Sequence, residues 1–451
     1  MSELTPAADP AAGARAYELD RAHVFHSWSA QAALTPMTIA GASGSWVWDF
    51  EGTKYLDFSS QLVNTNIGHQ HPKVIAAIQE QAGILATVAP QHANAARGEA
   101  ARLIAELAPP SMNKVFFTNG GADAIENALR MARLHTGRRK VLSFYRSYHG
   151  NTGSAIVATG DPRCWPNEFA DDHVHFFGPY PYRSHFWATS AEQESERALA
   201  HLADVLRFEG PGTIAAILME TIVGTAGVLI PPPGYLAGVR ELCDEHGIML
   251  ILDEVMAGFG RTGKWFAFDH FDVRPDLVTF AKGSNSGYVP VGGVIISDEI
   301  AATFDTRVFP GGLTYSGHPL AAASIVASIT AMREEGIVEN AARIGDEVLG
   351  PGLAALAGKH PVIGEVRGLG VFWALDLVSN RETRAMLAPY GGTSEAMTVL
   401  VSEAKKRGLL PFTNFNRLHI VPPCTVTDEE ARTGLEILDE VLAVVDRYYE
   451  G

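Results

Sequence analysis

The sequence predicts an α/β protein with a mostly parallel central sheet and a smaller α+β domain. Three observations carry this expectation. From about residue 95 to 330, short apolar runs alternate with helical patterns, the signature of βα units and a sheet covered on both faces. Two of those runs, GIMLIL ending in Asp253 and LVTF ending just before Lys282, place an ionisable residue at a strand's carboxyl end. Open α/β sheets bind their ligands there. The length, 451 residues, exceeds one small core and calls for further structure beyond the sheet.

Taken in order, the Ala/Pro-rich opening reads as a loose tail to about Gly13, without the basic-then-apolar layout of a secretory signal. The aromatic-rich piece from His23 to Trp28 has no strong periodicity and reads as an arm laid over another part of the molecule. Residues 45–49 and 55–58 alternate as strands around a turn at Glu51-Gly52. Gly68 to Pro72 marks a loop, and Pro72 opens a helix through Val74, Ile75 and Ile78, where its missing N–H costs nothing. Central strands are expected at 115–117, 141–144, 214–219, 249–252, 277–280 and 294–296. A polar section spans 178–212, with a charged helix near 192–207. After Leu320 a helix of small residues, AAASIVASITAM, leads out of the sheet. Strands at 362–366, 371–377 and 418–421 and helices near 394–407 and 428–448 complete the chain. The expected division is 1–70 (arm and small-domain strands), 71–330 (large domain) and 331–451 (small α+β domain).

Composition narrows the function. A hydrophobic share of 47% is ample for a core, and a net charge of −16 with no basic run argues against nucleic-acid or anionic-membrane partners. Three scattered cysteines, Cys164, Cys243 and Cys424, fit a reducing compartment and provide neither a disulfide framework nor a zinc cluster. No apolar run is long enough to span a bilayer, so a cytoplasmic protein is expected.

The chemistry concentrates at three places. Asp253 and Lys282 suit pyridoxal phosphate: the amine forms a Schiff base with the aldehyde, and the carboxylate keeps the pyridine nitrogen protonated. On these two residues alone a strand-end polar group and a solvated lysine explain the pattern as well. Thr118-Asn119-Gly120-Gly121-Ala122 between a strand and a helix aims backbone N–H groups at an anion, or simply makes a tight turn. Tyr145 to Gly150 comes after a strand and offers an aromatic face for a flat ring, or an ordinary packing tyrosine. Two other patterns point elsewhere. Gly258-Phe259-Gly260-Arg261-Thr262-Gly263 satisfies a dinucleotide fingerprint with Asp276 beyond it, but the run from Lys264 to Phe268 does not read as an amphipathic helix. His69/His71 and His173/His175 have metal-like spacing without acidic or cysteine companions, so loop and surface roles are expected and no metal.

Six pieces then resemble the class III pyridoxal-phosphate aminotransferases of fold type I. They are NIGHQHP (66–72), FTNGGADAIENALR (117–130), YHG (148–150), ILDEVMAGFGRTGKWFAF (251–268), DLVTFAKGSNSGYVPVGG (276–293) and GLTYSGHP (312–319). The resemblance spans His23 to about Glu430. It implies Lys282 as the covalent cofactor lysine, Asp253 as partner of the ring nitrogen, and Tyr148 and Val255 on the two ring faces. It also implies His149 beside the cofactor, Gly120, Gly121 and Ala122 at the phosphate, and Glu220 near the phenolic oxygen, with Thr221 in place of the usual following proline. Thr314 would reach the phosphate of a neighbouring subunit, which implies a homodimer with shared sites, or a tetramer of such dimers.

The reaction implied moves an amino group from an amine or ω-amino acid, taurine included, to a keto acid such as pyruvate by ping-pong kinetics. An aminomutase, decarboxylase or phospholyase shares the same scaffold. The family's carboxylate-binding arginine falls on Thr413 here, and Arg417, four residues on, either replaces it or serves a structural ion pair. The family's Leu-Trp pair reads Leu62-Val63, so Phe25 and Trp28 are expected to line the pocket with Val63.

Overall fold

The computed structural model describes residues 8–167 and 170–451. Residues 1–7 of the expected tail lie outside that range, but from Pro10 onward the tail expectation fails, because a helix spans Pro10–His23. Asp9 caps it by accepting from the Ala12 N–H at 3.0 Å, and proline occupies its first turn. Gly13 lets the helix approach Phe50: a Cβ there would lie 2.7 Å from the Phe50 Cβ.

Strands β1 (Ile39–Ser43), β2 (Trp46–Asp49) and β3 (Lys54–Asp57) form an antiparallel sheet, whose fourth strand is β14 (Leu409–Leu410), parallel to β3. The β1 sequence, IAGAS, lacks apolar alternation because Gly41 lies under the Trp48 ring, which occupies the space a side chain would need. Trp46 Nε1 donates to Glu430 at 2.7 Å, joining these early strands to the start of the helix Asp428–Val445.

The central sheet contains β4 (Lys114–Thr118), β5 (Lys140–Phe144), β6 (His173–Phe176), β7 (Ile214–Glu220), β8 (Met249–Asp253), β9 (Leu277–Phe280) and β10 (Gly292–Ile296). Their spatial order is β4-β10-β9-β8-β7-β5-β6, parallel except that β10 runs antiparallel to both neighbours. Every residue of β7, β9 and β10 is buried, as expected of strands covered on both faces, which is why they read as continuous apolar runs.

Strand β6 corrects the loop-and-surface expectation for His173 and His175. They sit half-buried on this edge strand, where His173 Nε2 meets Ser143 Oγ at 2.9 Å and His175 faces the Ala158 carbonyl at 3.3 Å. Burial pushes the His173 pKa down to about 2, so its ring is neutral. His69 pairs with Asp57 at 2.9 Å and His71 with Glu335 at 3.1 Å; no three-ligand group occurs among the described residues.

The glycine fingerprint is not a nucleotide loop. After Gly258 the backbone turns, with Gly260 and Gly263 at φ +87° and +81°, and leads to a short 3₁₀ turn at Ala267–His270. Asp276 accepts from Arg240 at 2.8 Å and from the Leu250 N–H at 2.7 Å, which consumes it structurally. Arg261, fully buried, donates to Ser60, Asn66 and the Pro422 carbonyl and so joins three distant parts of the chain.

Beyond the helix Pro319–Glu334, the chain forms β11 (Ile363–Leu369), β12 (Phe372–Asn380), β13 (Ala385–Met386), β15 (Phe412–Asn414) and β16 (Arg417–Ile420). These make an antiparallel sheet of order β11-β12-β16-β15 with β13 on β12. The short strands β13, β14 and β15 escape sequence reading because two or three residues establish no period. Among the described residues no helix is long and apolar enough to cross a membrane.

Candidate active site

Strand register assembles the site. Glu220 on β7 pairs with Asp253 on β8, and Asp253 pairs with Thr279 on β9. Three polar side chains therefore stand in a row at the carboxyl edge of an otherwise apolar sheet, and Lys282 comes directly after β9. Lys282 opens a 3₁₀ turn with φ +36°, a left-handed conformation that costs a lysine energy. Burial pushes its amine down to about 8, against the pull of Asp253 and Glu220 and helped by Arg163 and Arg261. An amine of this kind is uncharged, hence nucleophilic, in a useful fraction near neutrality.

Asp253 is held on three sides. Its Oδ2 meets His149 Nδ1 at 2.8 Å, and its Oδ1 accepts from the Val255 N–H at 3.0 Å and from Thr279 Oγ1 at 3.2 Å. His149 is buried, and its Nε2 has no partner. Glu220 accepts from the Tyr148 N–H at 3.0 Å and the Gly224 N–H at 2.8 Å. Burial pushes its carboxyl up to about 7 even so, with His149 lowering it and Asp253 raising it. Its neighbour Thr221 donates to Glu254 at 2.5 Å, and Glu254 also accepts from the Ala267 and Phe268 N–H groups, so this second buried acid braces the loop.

The glycine turn before the helix Gly121–Thr136 borders the same cavity. Gly120 caps the helix Gly121–Thr136 with no side-chain hydrogen bond, which leaves the first N–H groups of the helix without a side-chain cap. A Cβ at Gly121 would stand 3.1 Å from Val255, and one at Gly150, where φ is +133°, would stand 2.5 Å from the Ala122 Cβ. Gly121, Ala122, Tyr148, His149, Glu220, Asp253, Val255 and Lys282 line one cavity. An uncapped helix end, a strand-end carboxylate, an aromatic residue and a valine lining one cavity and a softened amine form the donor set that pyridoxal phosphate requires, and the residues fit it.

A larger chamber opens in front of Lys282. Trp28, Leu62, Tyr148, Arg163, Met256, Phe412, Thr413 and Phe415 are among its walls. Trp28 is where the sequence expectation put it. Phe25 is not: it stands 85% exposed and outside the wall. Val63 is fully buried in a separate cluster with Ile222 and Val228, and its neighbour Leu62 faces the chamber instead. Ser60, Gln61 and Val63 all have positive φ, so this segment turns sharply. Arg417 is also absent from the wall; it is 2% exposed, behind the chamber. Thr314 lies exposed on a loop outside the cavity of its own chain.

Sequence reading missed the cation that does face the chamber. The Arg163 guanidinium carbon stands 3.6 Å from the Tyr148 ring centroid, and Asp161 holds its Nε at 3.0 Å. The available signal was Asp161-Pro162-Arg163, in which the aspartate caps the next turn by accepting from the Arg163 N–H at 2.9 Å.

A lysine and an acid at adjacent strand ends, an uncapped helix facing them and a mostly parallel sheet define a pyridoxal-phosphate-dependent transferase of fold type I. The family model for class-III aminotransferases matches residues 28–442, and the chain belongs to that family. Among curated relatives, acetylornithine aminotransferase of Methanopyrus kandleri is 37% identical over 76% of this chain and 81% of its own. Taurine–pyruvate aminotransferase of Bilophila wadsworthia is 30% identical over 96% of both. A solved taurine:2-oxoglutarate aminotransferase from Bifidobacterium kashiwanohense, in complex with pyridoxal phosphate and glutamate, superposes with a TM-score of 0.94 at 42% identity over the whole of both chains. The protein is thus a pyridoxal-phosphate-dependent aminotransferase that moves an amino group between an amine donor and a keto acid.

Proposed function

We propose that the donor is a short ω-amine carrying an anionic head, the sulfonate of taurine or the carboxylate of an ω-amino acid. The observation that carries this reading is Arg163, a guanidinium paired with Asp161 and lying over Tyr148, in the chamber that Asp161 and Lys282 also line. The Trp28, Leu62, Phe412 and Phe415 side chains supply an apolar passage for a short carbon chain. An amine presented to Lys282 with its anion toward Arg163 is held at both ends. The names of the taurine-active relatives point the same way.

In this reading Lys282 holds the cofactor and moves the proton, Asp253 pairs with the ring nitrogen and His149 positions Asp253. Tyr148 and Val255 flank the ring, Gly120, Gly121 and Ala122 receive the phosphate, and Glu220 stands near the phenolic oxygen. When bound, the cofactor supplies the electron sink for carbanion charge. The chain works as a homodimer in which Thr314, exposed here, completes the partner's site. Residues 71–330 carry the cofactor and residues 1–70 and 331–451 make the arm and smaller domain, a division supported by the sheet that β1 to β3 share with β14. A cytoplasmic location accords with the net charge and the scattered cysteines.

The test compares taurine with butylamine as donors for wild type and Arg163→Gln. The kcat/KM ratio of taurine to butylamine should fall by about tenfold to a hundredfold, the scale of one charge-assisted contact. An unchanged ratio rejects Arg163 as the anion anchor.

A further inference from the structure

Strands of the C-terminal antiparallel sheet clamp the loop that follows Glu220. The chain leaves β7 at Glu220 and closes tightly, with Val223 and Leu229 exchanging both backbone hydrogen bonds at 3.1 and 2.9 Å. Three carbonyls of this loop meet donors from the other sheet. His419 Nε2 on β16 lies 3.1 Å from the Gly224 carbonyl, and Asn414 Nδ2 on β15 donates to that of Thr225 at 2.8 Å. Arg367 Nε on β11 donates to that of Gly227.

Gly224 joins this clamp to the site. Its N–H donates to Glu220 Oε2 at 2.8 Å, and the other Glu220 oxygen accepts from the Tyr148 N–H at 3.0 Å. Its carbonyl receives His419. No other residue type fits here, because a Cβ would lie 2.1 Å from Met256 Sδ, and Met256 lines both the cofactor cavity and the chamber.

His419 costs stability where it sits. It is fully buried, and burial pushes its pKa down to about 4, so the ring is neutral and has a single N–H. A carbonyl partner assigns that proton to Nε2, which leaves Nδ1 an acceptor, buried without a partner. The Gly224 carbonyl does not need this donor to be satisfied, because the Gly227 and Val228 N–H groups also reach it, at 2.9 and 3.0 Å. What the imidazole adds is a fixed direction. Its ring packs 4.7 Å from that of Phe412, on the chamber wall, while its N–H holds Gly224.

From this arrangement we infer that His419 is a positioning residue, which fixes Glu220 at the cofactor cavity by holding Gly224 from the opposite sheet. This deepens the proposed function and rests on its placement of Glu220. The Lys282 amine is faced by Asp253 and Glu220, which raise it, and by Arg163 and Arg261, which lower it. The Gly224 N–H favours the ionised form of Glu220. With Gly224 free to shift, Glu220 takes up its proton more readily and supports the charge on Lys282 less.

The test follows pyridoxal phosphate uptake by the full-length apoprotein against pH, together with melting temperature and the kcat of the holoenzyme, in His419→Leu, His419→Gln and Glu220→Gln. His419→Leu should move the uptake midpoint to lower pH by about 0.5 of a pH unit or more. It should lower kcat about threefold to tenfold, the scale of one hydrogen bond, and melt at or above the wild-type temperature. Glutamine presents an amide N–H to the same carbonyl and should restore both midpoint and kcat. An unmoved midpoint with a lowered melting temperature, or a glutamine variant no better than leucine, overturns the inference and leaves the reading of the site intact. Glu220→Gln should lower the midpoint by itself, and adding His419→Leu should then change nothing further. An unmoved midpoint in Glu220→Gln would instead overturn the placement of Glu220, and this inference with it.

Discussion

His149 and Asp253 are coupled by one buried hydrogen bond, Nδ1 to Oδ2 at 2.8 Å, at the carboxyl edge of the central sheet. The histidine comes from the loop after β5 and the aspartate from the end of β8. Together with the Val255 N–H and Thr279, it leaves the carboxylate a single orientation.

A first prediction separates the two residues. Asp253→Asn should lower kcat/KM by about 10³-fold, within the range of losing a catalytic charge. His149→Ala removes only the orienting bond and should cost about tenfold to a hundredfold. Single-turnover rates with a fixed donor measure both. Equal losses would make His149 a catalytic residue in its own right.

Lys282 carries a pH signature. With its amine lowered by burial from 10.5 to about 8, uptake of pyridoxal phosphate by the apoprotein should accelerate with pH and level off above about 8. Between about 8 and 10.5 the unfolded chain binds the proton that the folded chain has released. The apoprotein should therefore gain stability across that window, while below 8 the cost of burying the charged amine is fully present. Arg163 helps to lower this amine, so Arg163→Gln should move the midpoint of uptake upward. Stopped-flow absorbance across pH reads both effects.

Gly150→Ala tests the cradle. A methyl group there would meet the Ala122 Cβ at 2.5 Å, and its φ of +133° is unfavourable for alanine. The cost should be about 1–3 kcal/mol, felt mainly as displacement of the helix start. Equilibrium dialysis should show cofactor affinity reduced about tenfold or more, with secondary structure retained by circular dichroism.

Arg261→Leu tests the glycine-rich loop that mimics a nucleotide fingerprint. The substitution leaves Ser60, Asn66 and the Pro422 carbonyl without their shared donor. Chemical denaturation should show a loss of about 3 kcal/mol, the scale of leaving several buried hydrogen-bonding groups unsatisfied. An unchanged midpoint would mean that other contacts join these segments.

The large sheet was readable because strands buried on both faces must be apolar throughout, and this interrupts the helical period visibly. Its polar exceptions, Asp253 and Lys282, stood out against that background. Strand β6 was not readable, since two histidines satisfied by Ser143 and the Ala158 carbonyl look like surface residues until their partners are known. The helix from Pro10 was missed because a short Ala-rich segment is marginal alone and here depends on docking against Phe50.

What the sequence determined by itself was the family, the sheet and the residues at its carboxyl edge, because these arise from periodicity and from local motifs. Only the tertiary structure decided the chamber. In the turn at 60–63 the half-exposed Leu62 lies on the chamber wall while Val63 is buried in a separate cluster, and Arg417 on β16 is buried away from that wall. Asp161 secures Arg163 against Tyr148. Which arginine meets a substrate depends on contacts between segments far apart in the chain, and no local pattern encodes those.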